Sequence, residues 1–374
     1  MDHDPLKAHR KIKGKIEISL KARMRGKKDL SVWYTPGVGK VASYLGKFPE
    51  KAREYTAKGN SIAVVSDGSS VLGLGDIGPY AALPVMEGKA MIFKEFAGID
   101  AYPIVLDTKD PDEIVQTVKH IAPGFGGINL EDIAAPHCFE VEERLKGELD
   151  IPVFHDDQHG TAIVVLAGLL NSAKALDKDF RKMKVVIVGA GAAGIAIANL
   201  LLLAGAGRVR VADSRGLVSS DRKDMNAWKR RLARRTGAKK FEELSEAVQG
   251  ADALVGVARA GLFSAPLIRS MAPGPIVFAL SNPVPEIFPE AAHASGALVV
   301  ATGRSDFPNQ VNNALVFPGI FRGALDRKVP QITDAMKIRA AKNLAGLVRR
   351  PSHWHIMPSI FDARVVEAVA RAVR

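Results

Sequence analysis

The amino-acid sequence predicts an α/β protein of two domains, the second of them built on a doubly wound parallel sheet. At 374 residues the chain exceeds the length at which a single core stops growing. Short apolar strands alternate with helical segments along most of the chain, and a glycine fingerprint directly follows one of the strands. We predict a first domain over residues 1–157 with an N-terminal helical arm, a second domain over 158–345, and a tail over 346–374 whose packing is left open.

The first domain is predicted from four short apolar segments that have strand composition. They read SIAVVSD, AYPIVLD, GINLED and IPVFHDD, in that order. The segment PDEIVQTVKHI, which lies among them, is predicted as a helix because Asp110 stands directly before Pro111 at its start. Alternation of strands and helices of this kind predicts a sheet with helices packed on it.

The second domain is predicted from a buried helix, GTAIVVLAGLLNSAKAL, followed by a βαβ series that contains the fingerprint GAGAAG. Its three glycines, Gly189, Gly191 and Gly194, stand between the strand KVVIV and the helix IAIANLLLLAGA. In this setting the first glycine permits a tight turn, the second lets a pyrophosphate approach the backbone, and the third lets helix and strand pack closely. The loop, which includes Ala192 and Ala193, is therefore predicted to bind a dinucleotide.

The next strand, RVRVAD, ends in Asp213, and this residue bears on the choice of cofactor. A carboxylate here hydrogen-bonds the adenine ribose of NAD and repels the 2′-phosphate of NADP. Arg215 lies two residues further on and can pair with that phosphate. We predict NAD, with NADP as the alternative.

The same glycine spacing occurs earlier, in GLGDIG, but in a different setting. Gly73, Gly75 and Gly78 are followed by Pro79 and Pro84. Because proline disfavours a helix interior, we predict that no long helix starts here. The stretch is predicted to form a tight loop that lines a substrate cleft.

Two pairs of acids end neighbouring predicted strands: Glu131 with Asp132, and Asp156 with Asp157. Carboxylates at strand ends of an α/β sheet lie where ligands bind. Several convergent carboxylates repel one another unless a cation or a lysine lies between them. Ligands that are all oxygen atoms suit Mg²⁺ or Mn²⁺, so the acids predict such a metal site.

The residues alone leave other interpretations open. Zinc could use the histidines His137, His155 and His159, and the acids could instead cap a helix. Lys89 and Tyr34 lie in suggestive turns, although a lysine is usually solvated and a tyrosine before a Pro-Gly turn usually packs.

The composition is that of a globular protein, with 47% hydrophobic and 25% charged residues. The net charge of +12 is dispersed and its clusters lack interleaved aromatic residues, so we predict no nucleic-acid partner.

The apolar run over residues 185–207 is interpreted as strand, turn and helix, and no membrane span is expected. Cys138 is the single cysteine and no apolar signal segment begins the chain, so a cytoplasmic location is expected. The apolar and basic N-terminal helix predicts a homodimer or a higher homo-oligomer.

Several long motifs occur in a fixed order: YTPGVG, LGLGDIGP, MEGKA, NLEDIAAP, FHDDQHGTA, VGAGAAGIAIANLL, SNPVPEI and ATGRSDFPNQVNNALVFPGIFRGALD. Together they closely resemble the malic enzymes in their short bacterial and archaeal form. The resemblance implies oxidative decarboxylation of malate to pyruvate and carbon dioxide with NAD(P) and a divalent metal. A related NAD-dependent 2-hydroxy acid enzyme, such as a malolactic enzyme, is the alternative.

The resemblance also implies roles for the acids and the lysine. Glu131, Asp132 and Asp157 match the family's metal ligands, and Asp156 matches the acid that supports the catalytic lysine. Lys89 matches the general base, and we expect burial and the nearby cation to lower its pKa. One aspartate of the FHDDQHGTA motif would thus hold the metal and its neighbour the lysine.

Four further residues take roles from the resemblance. Tyr34 matches the general acid that protonates the enol-pyruvate carbon. Asn282, Asn312 and Asn313 match amides that contact malate and the nicotinamide. The chain departs from longer members at SDGSSVLGLGD, where serines stand in place of an arginine that grips a substrate carboxylate. The partner of the second malate carboxylate is therefore left open.

Overall fold

The computed structural model describes residues 4–71 and 73–374, and its first sheet has four parallel strands in the order β2-β1-β3-β4. The strands are β1 (Ser61–Ser66), β2 (Asp100–Val105), β3 (Gly127–Leu130) and β4 (Val153–His155). They coincide with the four predicted segments, so that prediction is confirmed. Because all four run in the same direction, the acids that follow β3 and β4 lie at one edge of the sheet.

The helices of this half surround the sheet or precede it. They are α1 (Pro5–Ile12), α2 (Lys27–Trp33), α3 (Gly37–Lys47), α4 (Ala52–Tyr55), α5 (Gly78–Ala97), α6 (Pro111–Ile121) and α7 (His137–Glu148). Helix α5 packs against β1 and β2, and α7 packs against β4. The predicted start of α6 is confirmed, because the Asp110 side chain accepts a hydrogen bond from the backbone N–H of Asp112.

One prediction about the first glycine fingerprint is wrong. A helix of 20 residues, α5, begins at Gly78 itself. Pro79 lies in the first turn, where backbone N–H groups have no partner within the helix, so a proline loses no hydrogen bond there. Pro84 is accommodated inside the helix. The loop before α5 is tight, as predicted: Gly73, Gly75 and Gly78 all have positive φ angles.

The second sheet has the order β10-β9-β8-β5-β6-β7. Its strands are β5 (Lys184–Val188), β6 (Arg208–Asp213), β7 (Gly216–Leu217), β8 (Ala253–Gly256), β9 (Ile276–Ala279) and β10 (Val299–Thr302). All pairs are parallel except β6 with β7. The chain leaves β5 toward β6 on one side and later toward β8 on the other, which is the reversal of a doubly wound dinucleotide-binding sheet. The predicted fold class is confirmed.

The remaining helices cover this sheet and then return to the first one. They are α8 (Asp156–Ala175), α9 (Ala192–Leu203), α10 (Ala227–Thr236), α11 (Leu244–Val248), α12 (Ala265–Arg269), α13 (Pro289–Ala294), α14 (Phe317–Arg327), α15 (Asp334–Gly346) and α16 (Arg364–Ala370). Helix α14 packs on α5, with the rings of Phe317 and Phe321 against Phe93. Helix α16 packs on α14 and α15, which shows where the tail lies.

Helix α8 connects the two halves and is buried along most of its length. It contacts β4 on one side and α9 and α15 on others. The long apolar run is divided between β5 and α9, as predicted. None of the helices within residues 4–71 and 73–374 combines the length and the apolar character that a membrane span requires.

The N-terminal arm, residues 4–60, lies on the surface. Helices α1 to α4 contain no buried residue, although apolar side chains are frequent in this part of the chain. Leu20 is 73% exposed and Trp33 is 59% exposed. Exposed apolar side chains clustered in one segment indicate an interaction surface.

Candidate active site

Lys89 is the centre of a buried polar cluster at the carboxyl edge of the first sheet. Its Nζ lies 2.6 Å from Asp156 Oδ2 and 2.9 Å from Glu131 Oε1. The same Nζ donates a hydrogen bond of 3.3 Å to Asn313 Oδ1 and lies 4.6 Å from the centroid of the Phe317 ring. The structure thus brings together four residues that lie far apart in the sequence and were predicted to belong to one site.

Local structure explains how the two carboxylates reach this lysine. Glu131 directly follows β3, and Asp156 directly follows β4, so both stand at the same edge of neighbouring parallel strands. Asn129 donates a hydrogen bond of 2.9 Å to Glu131 Oε2, which fixes the orientation of that carboxylate. Lys89 projects to the same edge from α5, which packs on the adjacent strand β1.

The protonation of this cluster differs from the prediction. Burial lowers the pKa of Lys89, but Asp156 and Glu131 together outweigh burial and raise it above the ordinary value of lysine. Burial raises the pKa of Asp156 to about 6 and that of Glu131 to about 7. The expected lowering of the Lys89 pKa is therefore not produced by the protein's own side chains. The prediction for the Lys89 pKa considered burial and a nearby cation, but not the charge of the neighbouring carboxylates.

Glu131, Asp132 and Asp157 form a group that fits a divalent cation. One oxygen from each residue lies within 4.8 Å of the others. The Asp132 N–H donates a hydrogen bond of 2.8 Å to Asp157 Oδ2, and Asp132 has a φ of 55°, an uncommon conformation for a residue other than glycine. An all-oxygen ligand set of this kind suits Mg²⁺ or Mn²⁺.

The geometry does not favour the alternatives of a zinc site or a helix cap. In the described part of the chain, the convergent group of possible metal ligands contains no histidine. His159 instead lies 2.9 Å from Glu142 Oε2 and 3.1 Å from Lys337 Nζ. His155 occupies the N-cap position of α8 without a side-chain capping bond, and Asp157 accepts its bond from Asp132, outside the helix.

Glu142 supports the start of α8 and was not predicted from the sequence. This carboxylate is buried on α7 and accepts a hydrogen bond of 3.0 Å from the backbone N–H of His155. It also accepts a bond of 3.2 Å from Gln158 and forms an ion pair of 2.7 Å with Lys146. The first turn of α8, which presents Asp156 and Asp157, is thereby held against α7. The available sequence signal was an acid on the buried face of an amphipathic helix, which is too common to be diagnostic.

The second fingerprint has the geometry that its setting predicts. A Cβ on Gly189 would lie 2.4 Å from the Val257 carbonyl oxygen, and one on Gly194 would lie 1.7 Å from the Gly189 carbonyl oxygen. No described atom lies within 4 Å of a Cβ placed on Gly191, which therefore faces open space. Gly189 has a φ of +117°, as a tight turn requires.

A cavity of about 710 Å³ extends from this loop past the end of β6. Asp213 and Arg215 line it, together with Lys229. The Asp213 carboxylate is paired with Arg222 at 2.9 Å and with Lys229 at 2.6 Å, while Arg215 pairs with Asp224 at 2.8 Å. The two cations on Asp213 were not predicted, because they lie 9 and 16 residues further along the chain.

A cleft of about 300 Å³ lies between the acids Asp132 and Asp157 and the fingerprint loop. Asp132 and Asp157 line it from one half of the molecule; Gly191, Ala192 and Ala193 line it with Asn282, Asn312 and Asn313. Gly191 also borders the larger cavity, so the two spaces share this residue.

Gly73, from the first fingerprint, also lines the cleft. A Cβ on it would lie 1.7 Å from the Asn282 carbonyl oxygen, so the two loops approach closely. Ser70 lies in the same lining. In the described part of the chain no arginine or lysine borders the cleft, so no basic group replaces the arginine of longer family members.

The structure does not bring Tyr34 into this cleft. Tyr34 follows α2 in the N-terminal arm, is 63% exposed, and is absent from the residues that line the cleft. Gly194 also lines neither space, but it packs on the backbone of Gly189, whereas Tyr34 lies apart from the fingerprint loop and from the Lys89 cluster.

The fold and the cleft define a dinucleotide-dependent α/β enzyme in which a cofactor loop faces a group of carboxylates and a buried lysine. A family model for the malic enzyme N-terminal domain matches residues 13–146, and a model for the malic enzyme NAD-binding domain matches residues 158–374. The chain belongs to the malic enzyme family.

Individual relatives agree along most of the chain. The NAD-dependent malic enzyme of Geobacillus stearothermophilus is 54% identical over 97% of this chain and 76% of its own length. The bifunctional malic/malolactic enzyme of Bacillus subtilis is 52% identical over 99% of this chain and 91% of its own length. The crystal structure of the NAD-dependent malic enzyme from Thermotoga maritima matches with a TM-score of 0.95 and 47% identity, over 99% of this chain and 98% of that chain.

Proposed function

We propose that the protein oxidises (S)-malate and decarboxylates the product to pyruvate and carbon dioxide, with reduction of NAD. The observation that carries this proposal is the position of Lys89. Its ammonium group contacts Asp156 and Glu131, and its bond to Asn313 connects it to the cleft beside the fingerprint loop. Membership of the malic enzyme family supports the same reaction.

Lys89 is proposed as the base that removes the hydroxyl proton while hydride leaves the malate carbon. Asp156 and Asn313 hold its nitrogen in place. A lysine has to be neutral before it can accept a proton, and the neighbouring carboxylates oppose that state. Lys89 can therefore act as a base only when the negative charge of these carboxylates is compensated.

Glu131, Asp132 and Asp157 are proposed to hold Mg²⁺ or Mn²⁺. A metal held there would compensate carboxylate charge and supply Lewis-acid polarisation of the ketone, and bound NAD would supply the hydride acceptor. For the substrate, we propose that the amides of Asn282 and Asn312 and the hydroxyl of Ser70 bind the second carboxylate, since these polar groups border the cleft.

Tyr34 is proposed as the acid that protonates the enol-pyruvate carbon, and the N-terminal arm is proposed as a homodimer surface. Because Tyr34 is exposed, the N-terminal arm would have to place it at a cleft, either that of the same chain or that of a second copy. Tyr34→Phe is expected to retain some NAD reduction and to lose the exchange of pyruvate methyl protons with solvent deuterium. Mixing Tyr34→Phe chains with Lys89→Ala chains distinguishes the routes: the rate of pyruvate formation should rise above that of either variant alone if Tyr34 serves the cleft of a second copy.

The direct test is the formation of reduced nicotinamide from malate and Mn²⁺ with NAD and with NADP, together with assays for pyruvate and carbon dioxide. The proposal predicts reduced cofactor and pyruvate in equal amounts. A malolactic activity would instead yield lactate without net reduction of the cofactor. Absence of turnover with both cofactors would contradict the proposal.

A further inference from the structure

A second cavity, here called the rear cavity, lies behind helix α8. It has a volume of about 270 Å³ and is lined by residues of α7, α8, α9, α10 and α15. Helix α8 presents Gln158 and His159 to the rear cavity. It presents Asp157 and Thr161 to the 300 Å³ cleft proposed to bind malate, here called the malate cleft. No step proposed for malate oxidation uses the rear cavity.

Part of the rear cavity lining is polar and contains two lysine ammonium groups. The buried carboxylate of Glu142 already accepts bonds at both oxygens. Lys146 Nζ contacts Glu142 at 2.7 Å and His159 at 3.4 Å. The buried Lys337 Nζ contacts His159 at 3.1 Å and Asp334 at 3.0 Å. Since an ammonium group has three N–H donors, each lysine retains a donor for a ligand.

The charge of the lining is also positive. The lining contains four basic residues, Lys146, Arg231, Arg235 and Lys337, and three acidic ones, Glu142, Glu143 and Asp334. Across residues 4–71 and 73–374, Arg235 makes no ion pair, and Arg231 pairs with Glu143 at 3.3 Å. The lining therefore carries one more positive than negative charge, which favours an anionic ligand over a cationic one.

Apolar side chains also line the rear cavity. They include Leu200 of α9, Leu232 and Trp228 of α10, and Phe139 of α7. The rings of Phe139 and Trp228 lie 4.9 Å apart, which gives the lining a fixed aromatic face. The volume is smaller than the roughly 300–1,000 Å³ of pockets for drug-sized ligands, so a fitting ligand is small.

We propose that the rear cavity binds a small organic carboxylate with an apolar body. The carboxylate meets the ammonium groups of Lys146 and Lys337, and the apolar part packs on Leu200 and Trp228. This inference does not depend on the proposed reaction, because none of these residues borders the malate cleft.

Benzoate tests the proposal, with benzamide as its neutral counterpart, by isothermal titration calorimetry on the full chain. We expect saturable benzoate binding with a Kd of about a millimolar or lower, and binding of benzamide weaker by about tenfold or more. Benzoate should remain bound when malate is in excess. No saturable binding, equal binding of benzamide, or displacement by malate would each overturn the proposal.

Substitutions in the lining test whether benzoate binds in the rear cavity. Lys337→Met should weaken benzoate binding by about tenfold or more, and the exposed Arg235→Gln should weaken it by a smaller factor. Arg234→Gln is the matched control, because Arg234 is the neighbouring exposed arginine of α10 and does not line the cavity. A benzoate-induced change in tryptophan fluorescence should disappear in Trp228→Phe and persist in Trp354→Phe. Wild-type affinity in both Lys337→Met and Arg235→Gln would refute the assignment.

Discussion

The carboxyl edges of the two sheets each carry acids at the ends of parallel strands, yet their charge balance is opposite. At the first sheet, Glu131 and Asp156 share one cation, Lys89, and other carboxylates lie beside them. At the second sheet, Asp213 is paired with two cations, Arg222 and Lys229. Asp224 shares Arg222 and also pairs with Arg215, so this cluster has three cations for two carboxylates.

The pKa values follow this difference. Burial raises the pKa of Asp156, and its one lysine does not reverse the effect. Burial also raises the pKa of Asp213, but the hydrogen bonds from Arg222 and Lys229 outweigh it, so the pKa is lowered. The first edge therefore lacks positive charge, which the proposed divalent metal would supply, whereas the charge of Asp213 at the second edge is already compensated by cations.

The largest effect is expected at the first edge. Lys89→Ala should lower kcat by about 10²–10⁴-fold, because it removes the proposed base, and small amines should restore part of the rate. The measurement is steady-state malate oxidation with Mn²⁺. Lys94→Ala is the control, since Lys94 lies on the same helix but pairs with Asp100 at the surface. Near-normal turnover in Lys89→Ala would remove this residue from the chemistry.

A smaller loss is expected when the support of α8 is weakened. Glu142→Gln removes the charge that Lys146 contacts and alters the bonds to the first turn of α8. Because supporting residues of metal sites typically contribute 10–100-fold, Mn²⁺ affinity should fall by about that factor. Glu140→Gln on the exposed face of α7 serves as the control. Unaltered Mn²⁺ affinity in folded Glu142→Gln protein would show that the contact has no influence on the site.

At the second edge, the wild-type protein is expected to prefer NAD. Asp213→Ser should shift the kcat/KM ratio toward NADP by about tenfold, which corresponds to about 1.4 kcal/mol. The substitution removes the carboxylate and frees Lys229 for the 2′-phosphate, while Arg222 keeps its pairing with Asp224. A wild-type preference for NADP would contradict this account of Asp213.

The smallest effect concerns stability and pH. Burial raises the pKa of Asp157 from 3.8 to about 6. The folded protein then binds more protons than the unfolded chain between these values, so the contribution of Asp157 to the free energy of unfolding falls as pH rises from about 4 to about 6. Without added metal, Asp157→Asn should gain stability relative to wild type across this range, and the gain should level off at higher pH. Thermal unfolding at several pH values measures it; a difference that does not vary with pH would be inconsistent with the raised pKa.

Much of the fold could be predicted because the signals are local. Apolar strand segments, a proline after Asp110 and the setting of GAGAAG each depend on neighbouring residues, and each prediction holds in the structure. The helix that starts at Gly78 was missed because the rule about proline was applied without regard to its position in the first turn.

The electrostatics of the site could not be predicted in the same way. Glu142 reaches α8 from another helix, and Lys229 reaches Asp213 from a position 16 residues away. The pKa of Lys89 depends on two acids that lie far from it in sequence. These contacts depend on how the elements pack, and no spacing in the sequence encodes them.

The most direct test of the contrast between the two edges measures both affinities on the same two variants. Mn²⁺ binding is followed by electron paramagnetic resonance and NADH binding by fluorescence, in Asp157→Asn and in Asp213→Ser. The account predicts that Asp157→Asn lowers Mn²⁺ affinity by about a hundredfold or more with little change for NADH, and that Asp213→Ser alters NADH binding with little change for Mn²⁺. Wild-type Mn²⁺ affinity in Asp157→Asn would contradict the assignment of the acid group as the metal site.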